Sequence, residues 1–216
     1  MLEARQLECT RGERRLFSAL SFRLGSGQLL RVAGANGSGK TSLLRIMCGL
    51  LTPSAGELRW RGQPIRAERE EYSRNLVFIG HLNALKDDLT ALENLQVAAA
   101  LGGMPADAQR MLAALDRFGV AHCAQLPTKI LSQGQRRRVA LGRLALSAAV
   151  PLWILDEPFS ALDVGAVVEL ERLLAAHLAS GGMVVLTTHQ EAKIAAAREQ
   201  WLDLDAPDRL PAQAPG

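Results

Sequence analysis

Aromatic side chains are scarce in this 216-residue chain: Phe, Trp and Tyr together make up 4% of it. A core therefore has to come from the Leu, Val, Ile and Ala that dominate a hydrophobic content of 48%. Cysteine is scarce too. Cys9, Cys48 and Cys123 stand apart, and no CxxC pair occurs. This odd, scattered set excludes a disulfide framework, a zinc ribbon and covalent haem attachment, and it suits a reducing compartment. Long apolar runs are missing. The uncharged stretch Leu144 to Leu155 contains Pro151 and falls far short of the roughly 20 apolar residues that span a bilayer. Glu3, Arg5 and Glu8 interrupt the start, so no signal peptide is expected. A strong charge of either sign is also lacking: the net charge of +3 does not call for a nucleic-acid partner. No internal repeat and no heptad pattern is visible. The expectation is a soluble chain sized for one α/β domain, with any membrane association made through a partner.

What the chain does have is a glycine-rich loop between an apolar strand and a helix. Leu29 to Ala33 reads as a strand. It runs into Gly34, Ala35, Asn36, Gly37, Ser38, Gly39, Lys40 and Thr41, and Thr41 to Cys48 continues as a helix with Gly49 as its stop. The glycines let successive N–H groups turn inward toward phosphate oxygens. The helix start adds its positive dipole end. Lys40 supplies a point charge for the β- and γ-phosphates, and Thr41 supplies a hydroxyl for Mg²⁺. The substrate expected from this loop is ATP or another nucleoside triphosphate.

A second acidic strand completes such a site. Leu152 to Leu155 is fully apolar and ends in Asp156-Glu157-Pro158. Asp156 at the carboxyl end of a strand beside the loop can hold Mg²⁺. Glu157 can take a proton from an attacking water as general base. A third feature, Leu131-Ser-Gln-Gly-Gln135, has no chemistry of its own. Its Ser132 hydroxyl and the N–H groups near Gly134 stand at a helix start, which is again an anion-binding arrangement.

The remaining pattern organises the chain around these motifs. Residues 1–33 read as short strands with turns at Gly12 and Gly25 to Gly27. Further strands are expected at Glu57 to Trp60, Leu76 to Ile79 and Met183 to Thr187, the last leading to His189. Thr90-Ala-Leu-Glu93 has capping-box spacing, and a helical pattern runs from Thr90 to about Phe118. Ser132 is expected to cap a helix to about Ser147, and Val164 to Ala179 to form another. A single domain over 1–205, with a helical insert at about 85–147, would leave 206–216 as a disordered tail.

Taken in order, these motifs resemble the ATP-binding cassette family over nearly the whole chain. The fold that the resemblance implies is a P-loop NTPase α/β core with an antiparallel β subdomain and a helical insert. It implies that Leu131 to Gln135 is the signature motif, with Ser132, Gly134 and Gln135 closing on ATP held by a second copy in a head-to-tail dimer. Gln133 departs from the family's LSGGQ. Ser160 to Asp163 resembles the D-loop, so Asp163 joins the nucleotide-binding set. His189 resembles the switch histidine at the γ-phosphate. Arg11 stands where an aromatic residue usually stacks on adenine. A guanidinium can stack on a purine, and it is equally open that Phe17 or nothing takes that place. His81 stands where the family has a glutamine near Mg²⁺, and neutral imidazole can accept from a metal-bound water.

Ile79-Gly-His81, Leu89 to Leu95, Gln135 to Leu141, Leu152 to Pro158 and Thr187 to Gln190 together resemble one branch. It is the ATP-hydrolysing subunit of the cytochrome c biogenesis, haem-exporter type system. Glutamine would be expected at position 82 in that branch, where this chain has Leu82. The resemblance implies a peripheral subunit on the cytoplasmic face of the bacterial inner membrane. It would pair with a membrane-spanning CcmB-type subunit and work with CcmC and the haem chaperone CcmE. No haem-binding constellation is present in the chain. An ABC subunit for another cargo and a soluble non-transport ABC ATPase are the alternatives. The second usually carries a long coiled-coil insert or two cassettes in one chain.

Overall fold

Strands that bury both faces, and helices stopped by their own caps, account for most of the layout. The computed structural model describes residues 1–103, 107–188, 192–206 and 212–213. β1 (Leu2–Arg11) and β2 (Arg14–Leu24) form a hairpin turned at Gly12. β3 (Gln28–Ala33), α1 (Lys40–Met47), β4 (Ala55–Trp60) and β5 (Gln63–Pro64) follow. α2 (Arg69–Arg74) and β6 (Leu76–Ile79) lead to α3 (Ala91–Leu101), α4 (Ala108–Arg117) and α5 (Gln133–Leu146). β7 (Leu152–Asp156), α6 (Val164–Ala179), β8 (Met183–Thr187), β9 (Arg198–Asp203) and β10 (Ala212–Gln213) complete the order.

Two sheets result. One is antiparallel, in the order β2-β1-β4-β5. The other runs β10-β9-β3-β8-β7-β6 and is parallel from β9 to β6. Every residue of β7 and β8 is buried, as expected of inner strands covered on both faces. Alternation sends Trp153 and Leu155 to one side, against helical residues such as Leu95, Leu115, Leu144 and Leu170. Leu152 and Ile154 point to the other side, against α1 and the antiparallel sheet, where Leu43, Ile46, Phe22 and Leu58 lie. The central sheet thus serves two cores with one set of strands.

The structure departs from the sequence expectations at several points. The helical pattern from Thr90 to Phe118 is two helices. Gly102 and Gly103, the latter with φ 63°, end α3, and Asp107 starts α4 by accepting the Arg110 N–H at 2.8 Å. β1 and β2 are long and irregularly paired, where short strands were expected. α2 and β9 had no counterpart in the expected elements. Within the stretch expected to be a disordered tail, Ala212 and Gln213 pair with Trp201 and Gln200 as β10. Residues 207–211 and 214–216 lie outside the described residues.

Behind β7 a histidine is buried without a hydrogen bond. His177 of α6 stacks on Trp153, with ring centroids 3.8 Å apart and planes 3° from parallel. Neither ring nitrogen has a hydrogen-bond partner. A Cβ at Gly182 would lie 2.2 Å from His177 Nε2, so only glycine lets β8 start this close. Burial lowers the His177 pKa to about 4, against a smaller opposing pull from backbone groups at Met183, Pro151 and Ala148. The unfolded chain binds this proton below the ordinary value of 6.5, and the folded chain does not until about pH 4. Stability should therefore be full above pH 6.5 and fall as the pH drops toward 4. The expected loss from this one group is about 2 kcal/mol at pH 5. Urea melts at pH 7 and pH 5 check it: His177→Leu, which cannot titrate, should narrow the gap between the two by about that amount.

Candidate nucleotide site

Strand register decides what meets at the site. Val32 of β3 pairs with Thr187 of β8, and Thr187 pairs with Asp156 of β7. The glycine loop leaves β3 immediately after this row, so three strand ends deliver their residues side by side. Gly34 has φ 139°, and a Cβ there would lie 2.5 Å from Ser38 Oγ. Gly39, with φ 106°, is the N-cap of α1 and offers no side-chain cap. In contrast, Thr90, Asp107, Ser132 and Asp163 all cap their helices. The first N–H groups of α1 are thus left to an anion. At its other end α1 is closed: Gly49 N–H donates to Ile46 O and Leu50 N–H to Arg45 O, both at 2.9 Å. This is a Schellman motif. The Lys40 ammonium reaches back over the loop, donating to Gly34 O at 2.6 Å and Ala35 O at 3.1 Å. Ala35 N–H in turn donates to Asp205 Oδ2 at 2.6 Å.

Asp156 sits at the centre and is 3% exposed. Thr41 Oγ1 donates to its Oδ2 at 2.9 Å, and Thr187 Oγ1 donates to its Oδ1 at 2.7 Å. The same Thr187 oxygen accepts the Glu157 N–H at 2.9 Å. Glu157 adopts a left-handed backbone, φ 50°, a conformation uncommon outside glycine. Its carbonyl accepts from Arg137 Nη2 at 2.7 Å, Ser160 Oγ at 2.9 Å and Ser160 N–H at 3.1 Å. Arg137, on α5, is 2% exposed. It also donates to Asp156 O, Gly80 O and Asn83 Oδ1, at 3.0, 2.9 and 3.1 Å. Burial draws its pKa down, opposed by the charges of Asp156 and Glu157.

A cleft of about 570 Å³ opens here, lined by Arg11, Leu16, Asn36, Gly37, Gly39, Lys40, Thr41, His81, Asp156, Glu157 and Ser160 among others. Arg11 and His81 both lie on the cleft with the glycine loop. Phe17 does not. Its ring is buried beneath Gly39, whose Cβ would lie 3.2 Å from it. Phe17 is thus removed as a platform for a base, and Leu16 stands on the cleft instead. Ser132, Gly134, Gln135 and Asp163 do not line this cleft. Ser132 and Gln135 form a reciprocal capping box at the start of α5. Gly134 packs so closely on Ala161 that a Cβ would lie 2.9 Å from its carbonyl oxygen. Asp163 caps α6 through the Ala166 N–H and lies 3.4 Å from Arg138. His189 lies outside the described residues.

Sequence reasoning missed Leu16, Thr187 and Arg137. Arg137 did leave a signal. It stands in helical phase with Ala140, Leu141 and Leu144, all buried, so it is a cation on an apolar stripe. The donors for a cation are Thr41 Oγ1 and Asp156, both oxygen ligands of the kind Mg²⁺ takes when substrate phosphates complete its shell. Among the described residues, no group of three His, Cys, Asp or Glu side chains could hold a metal by itself.

Comparison with known proteins agrees with this geometry. The ABC transporter family model matches residues 17–160. Curated relatives named cytochrome c biogenesis ATP-binding export protein CcmA cover nearly the whole chain. The one from Aromatoleum aromaticum is 53% identical over 90% of this chain and 91% of its own length. The one from Nitrosospira multiformis is 52% identical over 94% and 98%. The Escherichia coli K12 protein is 48% identical over 94% and 96%. A solved dimeric bacterial ABC transporter cassette superposes with a TM-score of 0.86 at 25% identity, covering both chains fully. By domain, by relatives and by fold, the chain belongs to the ABC transporter family, within its group of cytochrome c biogenesis ATP-binding export proteins.

Proposed function

We propose that this chain is the ATP-hydrolysing, energy-coupling subunit of an ABC transporter complex in c-type cytochrome biogenesis, of the haem-exporter type. One observation carries the reading of the site. The Thr41 hydroxyl and the Asp156 carboxylate meet at 2.9 Å between the glycine loop and β7, with Glu157 next in the chain and on the same cleft. Lys40 exchanges its loop carbonyls for the β- and γ-phosphates, and the uncapped start of α1 donates its N–H groups to them. Thr41 and Asp156 would hold Mg²⁺, which when bound supplies charge neutralisation on the phosphates. Glu157 takes the proton of the attacking water. Arg11, with Leu16 beside it, carries the adenine. His81, on the same cleft, is assigned to the metal's water, and His189 to the γ-phosphate.

The second half of the site comes from another copy. Ser132, Gly134 and Gln135 stand at the start of α5 and Asp163 at the start of α6, and none of them lines this copy's own cleft. A dimeric cassette among the solved neighbours supports dimerisation. Among the described residues no helix is long and apolar enough to cross a membrane. Attachment to the cytoplasmic face of the inner membrane is therefore assigned to a membrane-spanning CcmB-type subunit, with CcmC and the haem chaperone CcmE in the same system. Leu82 is 82% exposed beside His81, on the loop to which that subunit would dock.

Glu157→Gln should retain MgATP, accumulate a dimer on size exclusion and lose about 10²-fold or more in turnover. Hydrolysis at near the wild-type rate would remove Glu157 from the role of base. Lys40→Ala should lose nucleotide binding in the monomer, whereas Ser132→Arg should bind ATP normally and fail to dimerise. Equal loss of monomer binding by both would contradict a trans role for Ser132. Arg11→Ala should weaken ATP and GTP alike, by roughly 0.5–2 kcal/mol, measured by calorimetry. Unchanged affinities would return Arg11 to the solvated surface.

A further inference from the structure

One side chain outside the nucleotide cleft joins the end of β7 to the loop that carries His81. Arg137 is 2% exposed, yet no carboxylate pairs with it among its hydrogen bonds. Its acceptors are the main-chain oxygens of Gly80, Asp156 and Glu157 and the Asn83 side chain. Its Nε–H has no partner. A buried cation held by neutral oxygens is costly, so this arrangement is poorly explained as a device for stability. Its acceptors belong to two separate segments, the end of β7 and the loop that carries His81. The residue itself belongs to a third, the helix that opens with Ser132.

The peptide of Glu157 is gripped at both ends. Thr187 accepts its N–H and Arg137 donates to its C=O. The two bonds from Ser160 are local to the same turn, whereas the Arg137 bond brings in α5. A left-handed backbone in a glutamate persists only where its surroundings over-determine it. The start of α5 is itself fixed to the 160–163 segment, through Gly134 against Ala161 and Arg138 beside Asp163.

We propose that Arg137 is a positioning residue for the hydrolytic step. It sets where Glu157 presents its carboxylate and ties that position to α5 and to the 80–83 loop. A shift of α5 when its Ser132 end meets a phosphate is thereby felt at this copy's own base. The proposal rests on the reading of Glu157 as general base, and the test separates the two.

The full-length chain is measured as wild type, Arg137→Lys, Arg137→Gln, Glu157→Gln and the Arg137→Lys/Glu157→Gln double variant, each with a thermal melt. Lysine keeps the charge but cannot fork to both segments. None of the Arg137 hydrogen bonds reaches the glycine loop. Monomer affinity for MgATP should therefore stay within about twofold, while kcat at saturating MgATP falls about tenfold or more. Arg137→Gln, which keeps one amide donor, should fall as far. If Arg137→Lys melts below the assay temperature, Arg137→Gln carries the same comparison. In the double variant the lysine change should add little to the Glu157→Gln loss, because both act on one step. A folded Arg137 variant with wild-type kcat overturns the proposal. So does parallel loss of ATP affinity and kcat, or full multiplication of the two defects. A Glu157→Gln enzyme that still turns over would instead reject the base assignment itself.

Discussion

The carboxylate of Asp156 is the joint on which the catalytic edge depends. Both of its oxygens take hydroxyl donors, from Thr41 at the start of α1 and Thr187 at the end of β8. A carboxylate this deeply buried is tolerable only when its oxygens are satisfied. That in turn requires β3, β8 and β7 to end in one register. A slip of one residue in β7 would turn Asp156 to the opposite face and put Leu155 in its place. The two apolar layers on either side of the sheet hold the register: Leu152 and Ile154 are committed to one core, Trp153 and Leu155 to the other.

The helices divide the labour at their termini. α1 begins without a side-chain cap and faces the cleft. α3, α4, α5 and α6 begin with Thr90, Asp107, Ser132 and Asp163 as caps. Capping contributes about 1 kcal/mol in such positions, so its omission at α1 is a local cost accepted where nucleotide phosphate is to bind. A comparable economy appears in the last part of the chain. Arg31 of β3 pairs with Glu199 at 2.6 Å, lies over the Trp201 ring and donates to Ala192 O at 2.7 Å. One side chain thereby fastens the segment after β8 to the strand that feeds the glycine loop.

Much of this was legible in the sequence, because the relevant signals are local. The glycine loop, the apolar run ending at Asp156 and the capping boxes at Thr90 and Ser132 each specify their own geometry over a few residues. β9 was not legible, since its charged and polar residues mask a strand with only alternate positions buried. The break between α3 and α4 was overrun because the apolar phase resumes after the glycines. The cleft was legible in the glycine loop and the acidic strand end that line it, and obscure in the residues that hold them. Thr187 reads as an ordinary strand residue and Arg137 as one of three consecutive arginines. Only tertiary contacts distinguish Arg137 from Arg136, whose guanidinium turns outward to Asp87 at 2.6 Å.

The capping box at the start of α5 has a consequence for selectivity. Ser132 Oγ accepts the Gln135 N–H, and Gln135 Oε1 accepts the Ser132 N–H. Each side chain has thus committed an oxygen lone pair inward. What these side chains still have to donate is hydrogen, the serine O–H and the glutamine NH₂, beside the opening amides of the helix. Such donors bind an oxyanion more strongly than a neutral carbonyl and offer nothing to a cation. The cap that keeps the helix wound therefore also sets the polarity of what the helix can greet, before any partner arrives.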